Sequence, residues 1–323
     1  MGDILLLTDN IKKHKYSFED RNAFLFCYII IGIPLLFFIV FWCYVNIDSI
    51  LLAFKDANGN VTFDNFKMVF NAFKDKDMYD WNLFKVFKRT LLLWFLVDIV
   101  CVVPSMFSSY VLYKGIKGAF IFRVFLMIPS ILAGIVWVMV MKRMVGIGGP
   151  VMSILQKFGV NFSLDVSESG LLGSIDTAYL TIVLLNIFPR LVSFNLIISG
   201  SYARIPEELF EVGKLEGLNF IKEFIKISVP LVWPTIVISM ITNLSTIFTF
   251  EGGVFLYTGG ARETATMGFY IYYMTYKIAG SADVMNPFYG YPAAVGVTLT
   301  AITIPVVLFG KFVLEKMVEP VEY

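Results

Sequence analysis

The residues whose types and spacing could do chemistry form two sets. The first is a polar interruption near the middle of the chain, Ile205-Pro206-Glu207-Glu208-Leu209-Phe210-Glu211-Val212-Gly213-Lys214-Leu215-Glu216-Gly217-Leu218-Asn219-Phe220, flanked by long apolar runs. Carboxylates presented on a short helix can bind an arginine or backbone N–H groups of another protein. A glycine elbow lets a second surface approach closely. That is docking chemistry, not bond-breaking chemistry. Pro206 suits the first turn of a helix, and Glu207 and Glu208 favour its positive end. Leu209, Val212 and Leu215 recur at helical spacing and give the helix one apolar edge. Gly217 ends the pattern. Asn219 then caps a second short helix, 220–226, before Ser228-Val229-Pro230 opens the next apolar run.

The second set is polar and lies inside or beside apolar runs. Arg190 is deep in the run 177–200, where a charge is costly and faces either a cavity or a partner. Asn186 is one helical turn before it, on the same face. Asn243, Thr246, Thr249 and Glu251 end the run 227–250. A guanidinium donates to hydroxyls as well as to carboxylates. This group therefore suits a polar solute. An ion pair of Arg190 with Glu251 or with Asp98, simply holding helices together, is the competing reading.

Other chemistries find no residues. No G-x-x-x-x-G-K-[ST] phosphate loop, catalytic triad or metal set occurs in the sequence. Cys27, Cys43 and Cys101 all lie in apolar runs and read as small buried hydrophobes. His14, the one histidine, sits in a polar N-terminal stretch and reads as solvated. An intramembrane enzyme is disfavoured because Asp98 has no partner carboxylate. A net charge near zero does not suggest nucleic acid.

The elements that must position these groups follow from composition. With 58% of its residues hydrophobic, the chain reads as an all-α polytopic membrane protein. Apolar runs at about 23–47, 90–113, 119–141, 177–200, 227–250 and 286–310 are long enough to be six transmembrane helices. They follow a cytoplasmic segment, 1–22, which lacks the features of a cleaved signal peptide. The chain from 23 to 323 is then one transmembrane domain with a polar loop at 201–226. Phe63, Phe66, Val69, Phe70 and Phe73 recur at three and four, as in an amphipathic helix lying on the outer face. Lysines and arginines are dense in the N-terminus, the 114–123 turn, the central stretch and the tail. This places both termini and the central stretch in the cytoplasm.

Residues 205–234, IPEELFEVGKLEGLNFIKEFIKISVPLVWP, resemble the "EAA" loop of ABC-importer permeases. The pattern I-P-x-E-L-x-E-A-A-x-x-D-G-A followed by F-x-x-I-x-x-P-x-x-x-P is met at Ile205, Pro206, Glu208, Leu209, Glu211, Gly217, Phe224, Ile227, Pro230 and Pro234. The sequence departs at Val212-Gly213, Glu216 and Leu218. Arg123 with Pro129, and Leu256-Tyr257-Thr258-Gly259-Gly260, resemble segments of the sugar-importer branch, which includes the maltose permeases.

The resemblance implies a MetI-like core of five helices plus an extra N-terminal helix, in a bacterial inner membrane. Glu207, Glu208, Glu211, Gly213 and Gly217 are the implied contacts with a cytoplasmic ATPase. Two ATPase subunits would bind the ATP and Mg, with no cofactor in this chain. A second permease, an external solute-binding protein, membrane lipid and a carbohydrate, by its branch an oligosaccharide, complete the implied partners. Hydroxyl recognition then falls on Asn186, Arg190, Asn243 and Thr246, with Thr249 and Glu251 beside them. Tyr257 would close the outer end by stacking on a sugar ring. An ATP-independent carrier or channel fits the composition equally well; the polar loop argues against it.

Overall fold

A computed structural model describes residues 18–56, 58–75, 81–160, 170–280 and 289–317. His14, most of the N-terminal segment and the last residues of the tail lie outside them. Among the described residues the chain is helix and loop, with one isolated antiparallel bridge between Lys55 and Val61. Among the described residues six helical stretches are long and apolar enough to cross a membrane, one of them, Gly134–Lys157, made of two successive helices.

Helix α1 occupies 18–53 and includes a wide π-helical stretch at Phe38–Tyr44. Its span, Phe24–Ala53, buries almost nothing within the chain until it reaches Ala53. Its large apolar side chains are therefore suited to lipid or to another subunit. Cys27 is exposed and Cys43 half-buried on this helix. Only Cys101 matches the expectation of a buried thiol.

Helix α2, Asp64–Lys74, has the expected amphipathic form, with Asp64 in its first turn and Lys74 in its last. The aromatic stripe divides. Val69 is buried and Phe66 and Phe73 pack on the core, whereas Phe63 and Phe70 are exposed. Buried Asn65 donates to the carbonyls of Ala53 (3.0 Å) and Lys55 (2.7 Å), tying α2 to the end of α1.

Helix α3, Leu83–Tyr113, begins earlier than expected, because Asn82 caps it by accepting the N–H of Lys85. Lys85, Lys88 and Arg89 therefore belong to the helix rather than to a preceding loop. The helix contains a π-helical turn, Phe95–Ile99. It packs along α7, Ile175–Tyr202. The seam consists of Cys101, Ser105 and Ser109, spaced by four, which donate to the carbonyls of Ile187, Leu191 and Asn195. Small side chains let the two backbones approach, and their hydrogen bonds replace those that water would make.

The expected third span, 119–141, is broken. Helix α4, Ala119–Ile131, ends two residues after Pro129, and Leu132 and Ala133 are extended. Pro129 lies inside the last turn of α4 and removes one N–H from its ladder, and the extended conformation of Leu132 ends the helix. Helix α5, Gly134–Val145, continues the path, and α6, Pro150–Lys157, follows a tight glycine turn. Arg123 donates to the carbonyl of Leu112 (2.9 Å), which also accepts the N–H of Gly115 (3.3 Å), and so ties α4 to the end of α3.

Helix α8 is Glu208–Leu215 and α9 is Phe220–Ser245. Asn219 caps as expected by accepting the N–H of Lys222. The helix it starts does not stop at 226. It passes through a π-helical turn, Phe224–Ser228, and continues as the fifth span. The chain closes with α10, Val254–Tyr257, α11, Met267–Gly280, and α12, Gly290–Met317. Residues 286–288 of the expected sixth span lie outside the described residues. Helix α12 packs on α9, α11, α2 and the end of α1.

Asn65→Leu approximates the side-chain volume but leaves two buried carbonyls without a donor. It should cost about 1–3 kcal/mol. A lowered unfolding midpoint of the purified chain in detergent checks this; an unchanged midpoint shows that α2 is held by other contacts.

Candidate functional site

The central polar segment has two distinct faces. On the inner face Phe210 is buried in the cluster formed by Tyr110, Phe194, Ile198, Tyr202 and Val232. Gly213 is buried too, and a Cβ there would stand 2.4 Å from the Ile227 methyl of α9. Gly213 therefore serves close packing within the chain, which corrects its expected role as a partner contact. Gly217 adopts φ +71°. Its N–H donates to the Lys214 carbonyl, and the N–H of Leu218 donates to that of Gly213, both at 3.0 Å. This is a Schellman ending, where a glycine carries the left-handed residue without a Cβ penalty.

The outer face carries the remaining expected residues. Glu207, Glu208, Glu211 and Gly217 are exposed, as is Glu216. Glu208, Glu211, Val212 and Leu215 form one stripe, with Val212 51% and Leu215 88% exposed. The apolar edge inferred from Leu209, Val212 and Leu215 thus points mainly outward. Phe210 and Gly213 take the inward positions.

Within the spans, Arg190 forms an ion pair with Asp98, whose carboxylate is buried in the π-helical turn of α3. Of the two ion pairs considered from the sequence, this one is formed. The guanidinium also lies 5.7 Å from the ring centre of Phe194 and 5.9 Å from that of Phe250. Asn186 donates to the carbonyls of Ile182 (2.8 Å) and Gly252 (3.0 Å), tying α7 to the turn after α9. Asn243 borders a small void with Trp94, Asp98, Ile99, Phe194 and Met240, and its carbonyl accepts from the Trp94 indole. Asn186, Arg190 and Asn243 are therefore brought to one neighbourhood. Asp98 and Trp94 join them, Trp94 without any prior signal beyond its place on α3.

The other expected residues are placed differently. Thr246 and Thr249 turn their hydroxyls back to the carbonyls of Asn243 and Thr246, both at 3.0 Å. Thr249 also borders a groove of about 790 Å³ formed with α1 and α12. Glu251 accepts from the N–H of Phe255 (3.3 Å), and burial pushes its carboxyl above the usual range. Tyr257 is 4% exposed and packs against Gly253. A ring buried in this way is not available to stack on a sugar, which corrects that expectation.

The end of the bundle near Tyr257 is firmly joined. Lys142 donates to the carbonyl of Leu256 (2.7 Å), and Thr90 accepts the N–H of Met267 (2.8 Å). Arg262 and Glu263 both have positive φ, an uncommon conformation for residues with a Cβ. Arg262 donates to the Gly173 carbonyl and Glu263 pairs with Arg89.

Arg190→Gln leaves the Asp98 carboxylate buried without its counter-charge. It should destabilise by about 3–5 kcal/mol, with much of the loss recovered when Asp98→Asn is added. Unfolding midpoints of the single and double variants check this. A single variant as stable as the parent removes any structural role from the pair.

No protein-family model matches the chain. The multiple sugar-binding transport system permease protein MsmF of Streptococcus mutans is 23% identical over 270 residues, covering 83% of this chain and 87% of the relative. The trehalose/maltose transport system permease protein MalF of Thermococcus litoralis is 22% identical over 162 residues, 49% of this chain and 52% of the relative. A solved bacterial ABC transporter involved in the import of the acidic polysaccharide alginate matches with a TM-score of 0.74 at 17% identity, over 93% of this chain and 98% of that chain. The bacterial alginate transporter in complex with a periplasmic protein carrying an alginate pentasaccharide matches at 0.76 and 16% identity, over 95% and 99%. At those identities the likeness to the solved structures shows the fold. These two curated relatives are, by name, sugar permeases of transport systems, and the chain is similar to them over 83% and 49% of its length respectively.

Proposed function

We propose that the chain is the permease subunit of an ABC importer, moving a carbohydrate into the cytoplasm by alternating access. A solute-binding protein delivers the sugar outside, a second permease completes the path, and two separate ATPase subunits bind and hydrolyse MgATP. The observation that carries this reading is α8. An eight-residue helix with four nearby exposed carboxylates and two exposed apolar side chains, held to the bundle by Phe210, is shaped to be gripped from outside. An ATP-independent carrier has no use for such a surface. The relatives' names support carbohydrate as cargo.

The electrostatics refine the solute path. Asp98 already neutralises Arg190, so this site does not need a carboxylate on the cargo. The guanidinium has five N–H donors, and those not facing Asp98 can serve sugar hydroxyls. We place hydroxyl recognition on Arg190 and Asn243. Asn186 supports them through Gly252, and Thr246 contributes only if its hydroxyl turns away from its own helix. With α8 in the cytoplasm, both termini are cytoplasmic too.

Glu211→Ala should lower sugar uptake by about tenfold, equivalent to ~1.4 kcal/mol of lost coupling, while the chain still inserts. Uptake into membrane vesicles should also cease when ATP is removed. Full uptake without ATP would make the chain a carrier.

A further inference from the structure

Lys114 joins three elements. It follows the last turn of α3, forms an ion pair with Glu223 near the start of α9, and lies 4.6 Å from the ring centre of Phe210 on α8. The Tyr110 hydroxyl donates to the same Glu223 carboxylate at 3.0 Å. Glu223 is 4% exposed. Aromatic rings enclose the pair. Tyr113 stacks on Tyr202 at 5.1 Å and meets Phe210 at 5.2 Å, while Tyr110 meets Phe220 at 4.9 Å and Phe224 at 5.2 Å.

This arrangement differs from a surface salt bridge in what it can do. An exposed ion pair contributes little and holds nothing rigidly. A buried pair fixes geometry, because either charge left alone in that setting is costly. The ammonium over Phe210 adds a cation–π attraction that reaches α8. Helix α8 has eight residues, too few to persist in isolation, so its orientation depends on these contacts. Its buried positions are Phe210 and Gly213, against Lys114 and Ile227 respectively. A push on the outward stripe therefore passes to α3 through Lys114 and to α9 through Glu223 and Ile227.

We propose that Lys114 and Glu223 form a joint that makes α8 move as one body with α3 and α9. They are then positioning residues for the coupling of hydrolysis to transport, not contacts with the ATPase. This inference rests on the importer reading for its consequence, but the joint itself can be tested without it.

Two measurements test the proposal. In the first, spin labels at Val103 on α3 and Val212 on α8 report the distance distribution in the purified chain. It should be narrow in the parent and in Lys114→Arg. It should broaden in the Lys114→Met/Glu223→Gln double variant, which leaves no unpaired charge and is therefore expected to fold. In the second, the whole importer in nanodiscs is given MgATP with and without its binding protein. The double variant should hydrolyse ATP with stimulation by the binding protein reduced at least fivefold, and Lys114→Arg should retain most of it. An equally narrow distribution in the double variant, or undiminished stimulation, overturns the joint. Hydrolysis that never depends on this chain counts against the importer reading alone and leaves the distance measurement to decide the joint.

Discussion

Charge inside a hydrocarbon layer must be met by the protein itself, and the geometry of this bundle follows from where that happens. Arg190 lies near the middle of α7, far from either end of that span. Asp98 on α3 meets it. For that, α3 and α7 must run side by side in one register. The Cys101, Ser105 and Ser109 seam provides the close approach, placing three donors against three carbonyls of α7. The ion pair and the seam are mutually dependent. A shift of α3 by one residue would turn both away from their acceptors.

The same constraint explains which parts of the fold the sequence disclosed. Span existence was legible, because a long uncharged run has few alternatives to a membrane helix. Capping by Asn219 and the elbow at Gly217 were legible, because each rests on local backbone chemistry. Boundaries were less so. Helix α3 begins at Leu83 because Asn82 caps it, although the apolar run starts only at residue 90. Helix α9 absorbs the short helix expected at 220–226, because a π-helical turn carries the backbone from the cap towards Pro230 without a break. Pro129 carried a readable signal for the break between α4 and α5, yet hydropathy alone ran through it.

Site residues were harder, since their roles depend on what faces them. Gly213 and Val212 are adjacent in sequence and take opposite faces of α8. Only Ile227, fourteen residues on, decides that the glycine is the inward one. Tyr257 fails as a stacking ring for a similar reason. Its aromatic character was visible, but its burial against Gly253 depends on the turn that follows α9. Lys114 was readable only as a basic residue that orients the chain. Its pairing with Glu223 spans more than a hundred residues and follows no local rule.

The two ion pairs share a helix, and that placement has mechanical meaning. Asp98 and Lys114 are separated along α3 by roughly 24 Å of helical rise. One meets α7 within the bundle and the other meets α9 and α8 at its end. A helix is stiff along its axis but yields where its hydrogen-bond ladder is altered. In α3 those places are Pro104 and the π-helical turn that holds Asp98. In the proposed importer, α3 would link the surface of α8 to the Arg190–Asp98 pair through a single continuous element.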